Sequence, residues 1–393
     1  MAIDIKDSAL SEGTISVFMV SQTNLNNSLG ELRDVDLSSS SLTYDYYSDT
    51  RTSGKLTFHG ASQYIRGSFI RIVYTVPSLG YSETLGTYMV TDISHAFQNR
   101  ADTVTLTLQS AGLYPLSLHL TSTAITLNRG TKASNAIKNL LKQDNRDYIF
   151  TATNDYSIGS DGLALTSNET YLKEIYTLAT LANIKVGVNP LGQVTFVNRT
   201  YPLQNTARYT LDANDAHGIV QNDYTRDSDE LTVPSEVVVS YTGSDNTKSD
   251  AWKEEMRRRD SNYQDSITIT AVSKVTGNNS AETRGYTVTR FESESELIPS
   301  TYAKAKAMAD QDIKIFSTPD TSWKITTSYF PISIGDVIEF IPRADDNAPY
   351  TESHKTFVSS ADLNLSTMRW SLTLKEATTY DPKNLESDQN GSF

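Results

Sequence analysis

The sequence predicts a β-rich, multidomain α+β chain: two related antiparallel β-barrel domains, an α+β domain between them, and a further insertion in the second barrel. Three observations carry this. Ser, Thr and Tyr are abundant among short Val, Ile and Leu runs, a composition that suits half-exposed strands whose outer faces carry hydroxyls. The hydrophobic period shifts from strand-like to helix-like between residues 119 and 206, then back. A set of strand-like segments recurs 268 positions further on. The length, 393 residues, allows roughly two to four domains.

Residues 1–118 are the first barrel. Thr14–Val20 (TISVFMV) alternates, and Gly54–Phe58, Phe69–Val76, Thr87–Ile93 and Thr103–Leu108 follow at short intervals with no helical period between them. Residues 119–206 are the α+β domain. Thr131–Gln143 sets Ala133, Ile137, Leu140 and Leu141 on one helical face, and Asn168–Ile184 does the same with Tyr171, Ile175, Leu178 and Leu181. Lys185–Val188 and Gln193–Asn198 then flank Asn189-Pro190-Leu191-Gly192, whose Pro and Gly suit a type I turn and so a hairpin.

The second barrel is assigned to residues 207–240 and 310–378. Residues 207–233 read as an acidic loop, and Val237-Val238-Val239 as a buried strand. Residues 241–309 form the insertion, polar up to residue 299, with a charged patch at Trp252–Asp260. Ser300 caps a helix over Thr301–Ile313. Strands resume at Trp323–Ser328, Asp336–Ile341, Thr356–Ala361 and Arg369–Lys375, and residues 379–393 read as a flexible polar tail.

The repeat ties the two barrels together. At an offset of 268, Gly67–Val73 falls on Gly335–Ile341, Thr87–Ile93 on Lys355–Ala361, and Thr103–Leu106 on Ser371–Leu374, all without a gap. Gly67/Gly335, Ile70/Ile338, Val90/Val358, Thr105/Thr373 and Leu106/Leu374 are identical. With one residue of slip, Lys55-Leu56-Thr57 meets Lys324-Ile325-Thr326. Three strands in constant register over some forty positions read as two copies of one unit in a single chain.

Composition excludes several chemistries. There is no cysteine, so disulfides, thiolate metal sites and thiol nucleophiles are out. No apolar stretch approaches the ~18 residues a bilayer span needs, and MAIDIKDSALSEG has no basic or apolar leader region. The expectation is therefore a chain made in the cytoplasm, with no stable membrane insertion. The net charge of −13, nearly all of it after residue 206, opposes nucleic-acid binding through phosphate contacts. It remains compatible with a passage through which DNA moves without sticking.

Candidate chemistry is sparse. His59, His95, His119, His217 and His354 are scattered, with no HExxH or close pair, and no GxSxG, P-loop or dinucleotide fingerprint is present. Acidic clusters at Asp212-Ala213-Asn214-Asp215, Asp227-Ser228-Asp229-Glu230 and Asp345-Asp346-Asn347 lack the spacing of an EF-hand and read as solvated loops. Arg257-Arg258-Arg259 after Glu254-Glu255 reads as a charged helix face with pairs such as Glu254–Arg257 and Glu255–Arg259, or as a protein interface. Tyr44, Tyr46 and Tyr47 are read as core or subunit packing ahead of carbohydrate stacking. No catalytic, cofactor-binding or metal-binding residue is nominated, and no cofactor is implied.

The order and spacing of several stretches resemble the baseplate-hub family of phage tails. That family includes the N-terminal hub part of tail-associated lysins and the hub part of type VI secretion spikes. LGTYMVTDISHAF followed by VTLTLQSAGLYPL is similar to the first hub barrel and its exit, and NRGTKASNAIKNLL to the helix that follows. ETYLKEIYTLATLANIKVGVNPLGQVTF resembles the helix and hairpin of the middle domain. YAKAKAMADQDI with SWKITTSYFPISIGDVIEF resembles the opening of the second barrel. The resemblance spans about residues 10–378 and implies a homotrimeric ring, six similar units around a pore. It further implies a structural virion protein, not an enzyme: a minor tail protein at the tail tip. A distal tail or tail tube ring would sit above, with tip, fibre or receptor-binding proteins below and a DNA ejection channel through the middle. The chain ends where a hub would, so no appended lysin domain is expected. A tail-tip cell-wall hydrolase and a carbohydrate-binding adhesin stay open as alternatives.

Overall fold

FIRIVYTV, residues 69–76, shows how the chain makes its strands: alternate residues are apolar, and the buried positions follow the alternation. A computed structural model describes residues 12–59, 68–98, 101–121, 125–158, 163–165, 168–199, 205–215, 219–229, 233–244, 250–260, 266–276, 280–293, 320–343 and 353–376, with Leu10, Tyr302, Lys306, Ala309, Asp310 and Ile313. The chain forms two compact units, one from Met1–Thr225 and Trp323–Lys375, the other from Arg226–Ser322 and Glu376–Phe393.

The described elements run in this order: β1 (Thr14–Val20), β2 (Ser28–Leu32), β3 (Val35–Asp45), β4 (Thr52–His59), β5 (Phe69–Val76), β6 (Tyr81–Gln98), β7 (Ala101–Ser110), α1 (Tyr114–Leu118), β8 (Ile125–Leu127), α2 (Ala133–Gln143), β9 (Tyr148–Phe150), β10 (Leu163–Leu165), α3 (Tyr171–Leu181), β11 (Ile184–Val188), β12 (Val194–Asn198), β13 (Tyr209–Asp212), β14 (Val220–Asp229), β15 (Glu236–Ser244), α4 (Asp250–Arg259), β16 (Ser266–Lys274), α5 (Ala281–Arg284), β17 (Thr289–Ser293), β18 (Asp320–Ser328), β19 (Val337–Ile341), β20 (His354–Asn364) and β21 (Arg369–Glu376). Among the described residues no helix is long and apolar enough to cross a membrane.

One thirteen-stranded sheet dominates the first unit. Its order is β14-β18-β21-β20-β3-β4-β7-β6-β5-β1-β2, with β19 on β20 and β13 on β19. The order contains the same pattern twice: β3-β4-β7-β6-β5-β1, then β14-β18-β21-β20-β19-β13. The 268-residue offset holds at the level of single backbone pairs. Phe69 faces Met89, Ile70 Tyr88, Arg71 Thr87 and Ile72 Gly86. At the equivalent positions Val337 faces Phe357, Ile338 Thr356, Glu339 Lys355 and Phe340 His354. The Val90 amide donates to the Ser68 carbonyl at 2.8 Å, and the Val358 amide to the Asp336 carbonyl at 3.0 Å. The halves differ at their outer strand: β1 joins β5 antiparallel, whereas β13 joins β19 parallel. Of the glycine pair that anchors the repeat, Gly67 lies outside the described residues.

The halves meet through β20. Its first residues pair with β19 and its last, Ser360–Asn364, with Asp45–Ser41 of β3. Both halves contribute to one apolar cluster that includes Leu42, Leu56, Ile70 and Leu106 with Ile325, Ile338, Val358 and Leu372. Two barrels are expected from the repeat; the structure shows its strands as two halves of one sheet.

The helical segment is built on α2 and α3. Ile137, Leu140 and Leu141 of α2 pack with Ile175 and Leu178 of α3 and with Val186, Val194 and Phe196. The Thr170 hydroxyl caps α3 by accepting from the Lys173 amide. The sequence extends this helix to Ile184, but it stops at Leu181: Asn183 takes a left-handed φ of 52°, which ends the turn, and Ile184 opens β11. The β11–β12 hairpin closes through Asn189-Pro190-Leu191-Gly192, with the Gly192 amide on the Asn189 carbonyl at 2.9 Å.

Two expectations are corrected. Residues 207–233 are not merely an acidic loop, since they carry β13 and β14; the polar side chains of β14 mask its alternation. Val237-Val238-Val239 belongs not to the second barrel but to β15, which pairs with β16 and β17 in a separate three-stranded sheet. That sheet is in the second unit, where Val237, Val239 and Ala271 pack with Ala309 and Ile313. The helix expected over Thr301–Ile313 lies largely outside the described residues; its five described members are helical.

Leu363 lies opposite Leu42 across the β20–β3 join, and both are fully buried. Leu363→Ala and Leu42→Ala are each expected to lower unfolding stability by about 2–5 kcal/mol. Because the two residues are paired across the join and belong to one apolar cluster, the double variant should lose measurably less than the sum. Strict additivity in denaturant titrations would show that the join does not form.

Candidate functional site

The first unit carries a partly open pocket of about 250 Å³ lined by the end of β3, the turn after it, β6, β11, β12, the segment after β18, and β21. Strand alternation sends Tyr44 and Tyr46 to the same face. The Tyr44 hydroxyl donates to the Leu85 carbonyl at 2.7 Å, and its ring meets Trp370 edge-on at 5.6 Å. Tyr46 packs edge-on against Phe357. Arg51, held in the β3–β4 turn at a left-handed φ of 62°, sets its guanidinium 5.7 Å from the Tyr46 ring centre and 5.8 Å from that of Tyr176. The Lys185 amine sits 4.5 Å from the same Tyr46 ring. Gly335 is required here: its φ is 88°, and a Cβ would come within 3.2 Å of both the Lys185 amine and the Tyr46 ring.

Glu83 is the acid in this lining, and it is engaged. The Tyr329 hydroxyl donates to it at 2.6 Å, and the Tyr81 hydroxyl donates to the same oxygen. Burial, then the Glu83 charge, pushes the Tyr329 phenol far up, so it stays a donor. Lys185 is pushed down to about 8, chiefly by burial and next by Arg51, with Asp336 pulling the other way. The arrangement is two cations resting on aromatic faces and one carboxylate closed off by two phenols. Sequence reasoning named Tyr44 and Tyr46 but missed Arg51, Glu83 and Lys185, which gather from three distant parts of the chain.

The other residues singled out by sequence are dispersed. His59 lies 3.7 Å from Asp36 and His95 4.0 Å from Asp102, both at exposed positions. His119 contacts Asp144 at 2.7 Å and stacks on Tyr171. His354 packs beside Trp323, and His217 lies outside the described residues. Asp212 accepts from the Asn214 amide in a turn after β13. Asp227-Ser228-Asp229 belong to β14, and Glu230 and Asp345-Asp346-Asn347 lie outside the described residues. Among the described residues no cluster of three or more His, Asp or Glu could hold a metal ion. On α4, Arg258 pairs with Glu254 at 3.2 Å and Arg259 with Glu255 at 2.8 Å. The Glu255–Arg259 pair is the expected one, and Glu254 pairs with Arg258. Tyr47 is 60 % exposed, with the Lys375 amine 5.0 Å from its ring centre.

No family model matches the sequence, and no curated protein matches it. Solved structures do match. The chain is similar over 94 % of its length to 98 % of a tail protein from Neisseria meningitidis MC58, with 13 % identity and a TM-score of 0.63. It is similar over 92 % of its length to 98 % of the 43 kDa tail protein of prophage MuSo2 from Shewanella oneidensis, with 10 % identity and a TM-score of 0.61. A chain of the Francisella PdpA–VgrG complex matches at 12 % identity and a TM-score of 0.55, over 93 % of this chain and 58 % of that one. The fold is therefore that of phage tail proteins. The same fold extends to the VgrG complex, so the match covers both groups that the sequence resembles.

Lys185 gives this cavity a pH signature. An amine titrating at about 8 when folded and near 10.5 when free costs stability in full below pH 8. Between those values the unfolded chain holds a proton the folded chain has lost, so stability rises with pH across that window. Lys185→Met should therefore stabilise the chain relative to the parent at pH 7, and the gain should shrink toward pH 10.5. Paired denaturant titrations at the two pH values check this; a gain independent of pH would contradict it.

Proposed function

We propose that this chain is a structural protein of a phage virion, a homotrimeric tail-tip hub. On this reading it joins the tail tube or distal tail protein to the host-contacting tip. It also forms part of the channel through which DNA leaves. The observation that carries the reading is the duplicated hairpin, in the same register 268 residues apart, within a fold matched end to end by phage tail proteins. A duplicated unit lets three chains present six similar surfaces to a sixfold tube while keeping threefold symmetry for a tip below. The acids concentrated after residue 206 suit a wall that repels a duplex, since each neutralised phosphate would add to DNA affinity and slow its passage.

This reading needs no bound cofactor and no turnover. The acid in the cavity, Glu83, is tied up by two phenols, and its neighbours are the packing cations Arg51 and Lys185.

The purified chain is expected to sediment as a trimer, and antibodies raised against it to label the distal end of the phage tail. A monomer at micromolar concentration together with unlabelled tails would overturn the proposal. Clearing of host cell wall in a zymogram would replace it with the hydrolase reading.

A further inference from the structure

The two halves of the sheet are alike in strand order and register but unlike in what covers one strand. In the second half, the end of β20 is covered by β3 of the first half, with Ser360 opposite Asp45, Ala361 opposite Tyr44 and Leu363 opposite Leu42. The Leu365 amide continues the join by donating to the Ser40 carbonyl. Ala361, Leu363 and Leu365 are accordingly 1 %, 0 % and 1 % exposed.

The equivalent stretch of the first half, 268 residues earlier, is the end of β6. It pairs with β7 from Asp92 to Gln98, and no strand lies on its other edge among the described residues. Ile93, His95 and Phe97 stand where Ala361, Leu363 and Leu365 stand in the second half. Ile93 is only half-buried, His95 is exposed, and Phe97 is 74 % exposed. One position of the repeat thus holds an apolar side chain in both copies, fully covered in one and bare in the other.

The strand that would cover it is also present. β14 occupies in the second half the place that β3 occupies in the first, next to β18 as β3 is next to β4. The correspondence reaches single bonds: the His59 amide donates to the Asp34 carbonyl at 3.0 Å just before β3, and the Ser328 amide to the Ile219 carbonyl at 3.0 Å just before β14. β14 ends the sheet, with no strand on its outer edge among the described residues. Among the described residues the chain therefore carries one completed join and the two unmatched edges of a second join of the same kind. Unpaired strand edges are templates for pairing with another chain, and pairing of unlike surfaces head to tail makes a ring when its rotation closes.

We infer that neighbouring copies of this chain join by antiparallel strand addition, the β14 edge of one chain covering residues 92–97 of β6 in the next, with Phe97 as its apolar anchor. The occupant of the β6 edge is a second copy, because a strand that suits it, β14, is displayed elsewhere on the same chain, and the twin of that strand, β3, already covers the twin of that edge, the end of β20, within the chain. This inference rests on the ring proposed above and specifies its contact.

The chain has no native cysteine, which allows a clean test. His95→Cys is combined with a cysteine at each of positions 221–225 in turn, and the assembled protein is oxidised and run without reductant. Thr43→Cys with Asp362→Cys serves as the reference, since those side chains already meet at 2.6 Å in the intrachain join. The expected result is interchain covalent species up to the trimer at one register, and an intrachain bond only for the reference. A particle of trimer mass with no interchain bond at any position would overturn the strand join while leaving the ring intact. A particle that is monomeric and uncrosslinked throughout would overturn both. In parallel, Phe97→Asp should weaken association at least about tenfold with an unchanged circular dichroism spectrum. Association equal to that of the parent would count against the inference.

Discussion

Every backbone amide and carbonyl in a sheet needs a partner, and β20 is where this chain meets that demand in two directions. Its first residues complete the hairpin with β19 and its last complete a join to β3, 319 residues away between Thr43 and Asp362. The rest of the first unit depends on that strand. It lets two copies of a unit share a sheet, buries Leu42 against Leu363, and brings apolar side chains from both ends of the chain into one cluster. Without it, the halves would each show an open edge, as the end of β6 does among the described residues.

What the sequence could show follows from how side chains report strands. β1 and β5 are read to the residue because TISVFMV and FIRIVYTV alternate, and the repeat is visible because the hairpins β5–β6 and β19–β20 keep Ile70/Ile338 and Val90/Val358 in the core. The strands that make the joins were hidden. β3 is VDLSSSSLTYD, in which Ser40 donates to the Asp36 carbonyl and accepts from the Thr57 amide, so a hydroxyl replaces ladder bonds at an irregular step in pairing. β14 is VQNDYTRDSD, whose charge reads as a loop. β14 pairs with β18, far on in the sequence, and β3 pairs with the distant β20 as well as with the adjacent β4, and no local pattern records the distant partners.

The cavity was legible only in part, for the same reason. Tyr44 and Tyr46 stand out as dense aromatics, but Arg51, Glu83 and Lys185 become a group only when a turn, β6 and β11 converge. Val237-Val238-Val239 shows the converse error. Its β-branched run is a strand, as expected, yet nothing in three valines says which sheet takes them, and the partners proved to be β16 and β17.

The join proposed between chains repeats the join inside the chain. Amide hydrogen exchange addresses it most directly, by comparing the amides of residues 92–97 that point away from β7 with those of residues 360–364 that point toward β3. Residues 360–364 are expected to be protected at any protein concentration, and residues 92–97 only as the particle assembles. Fast exchange at 92–97 in the fully assembled particle would contradict it.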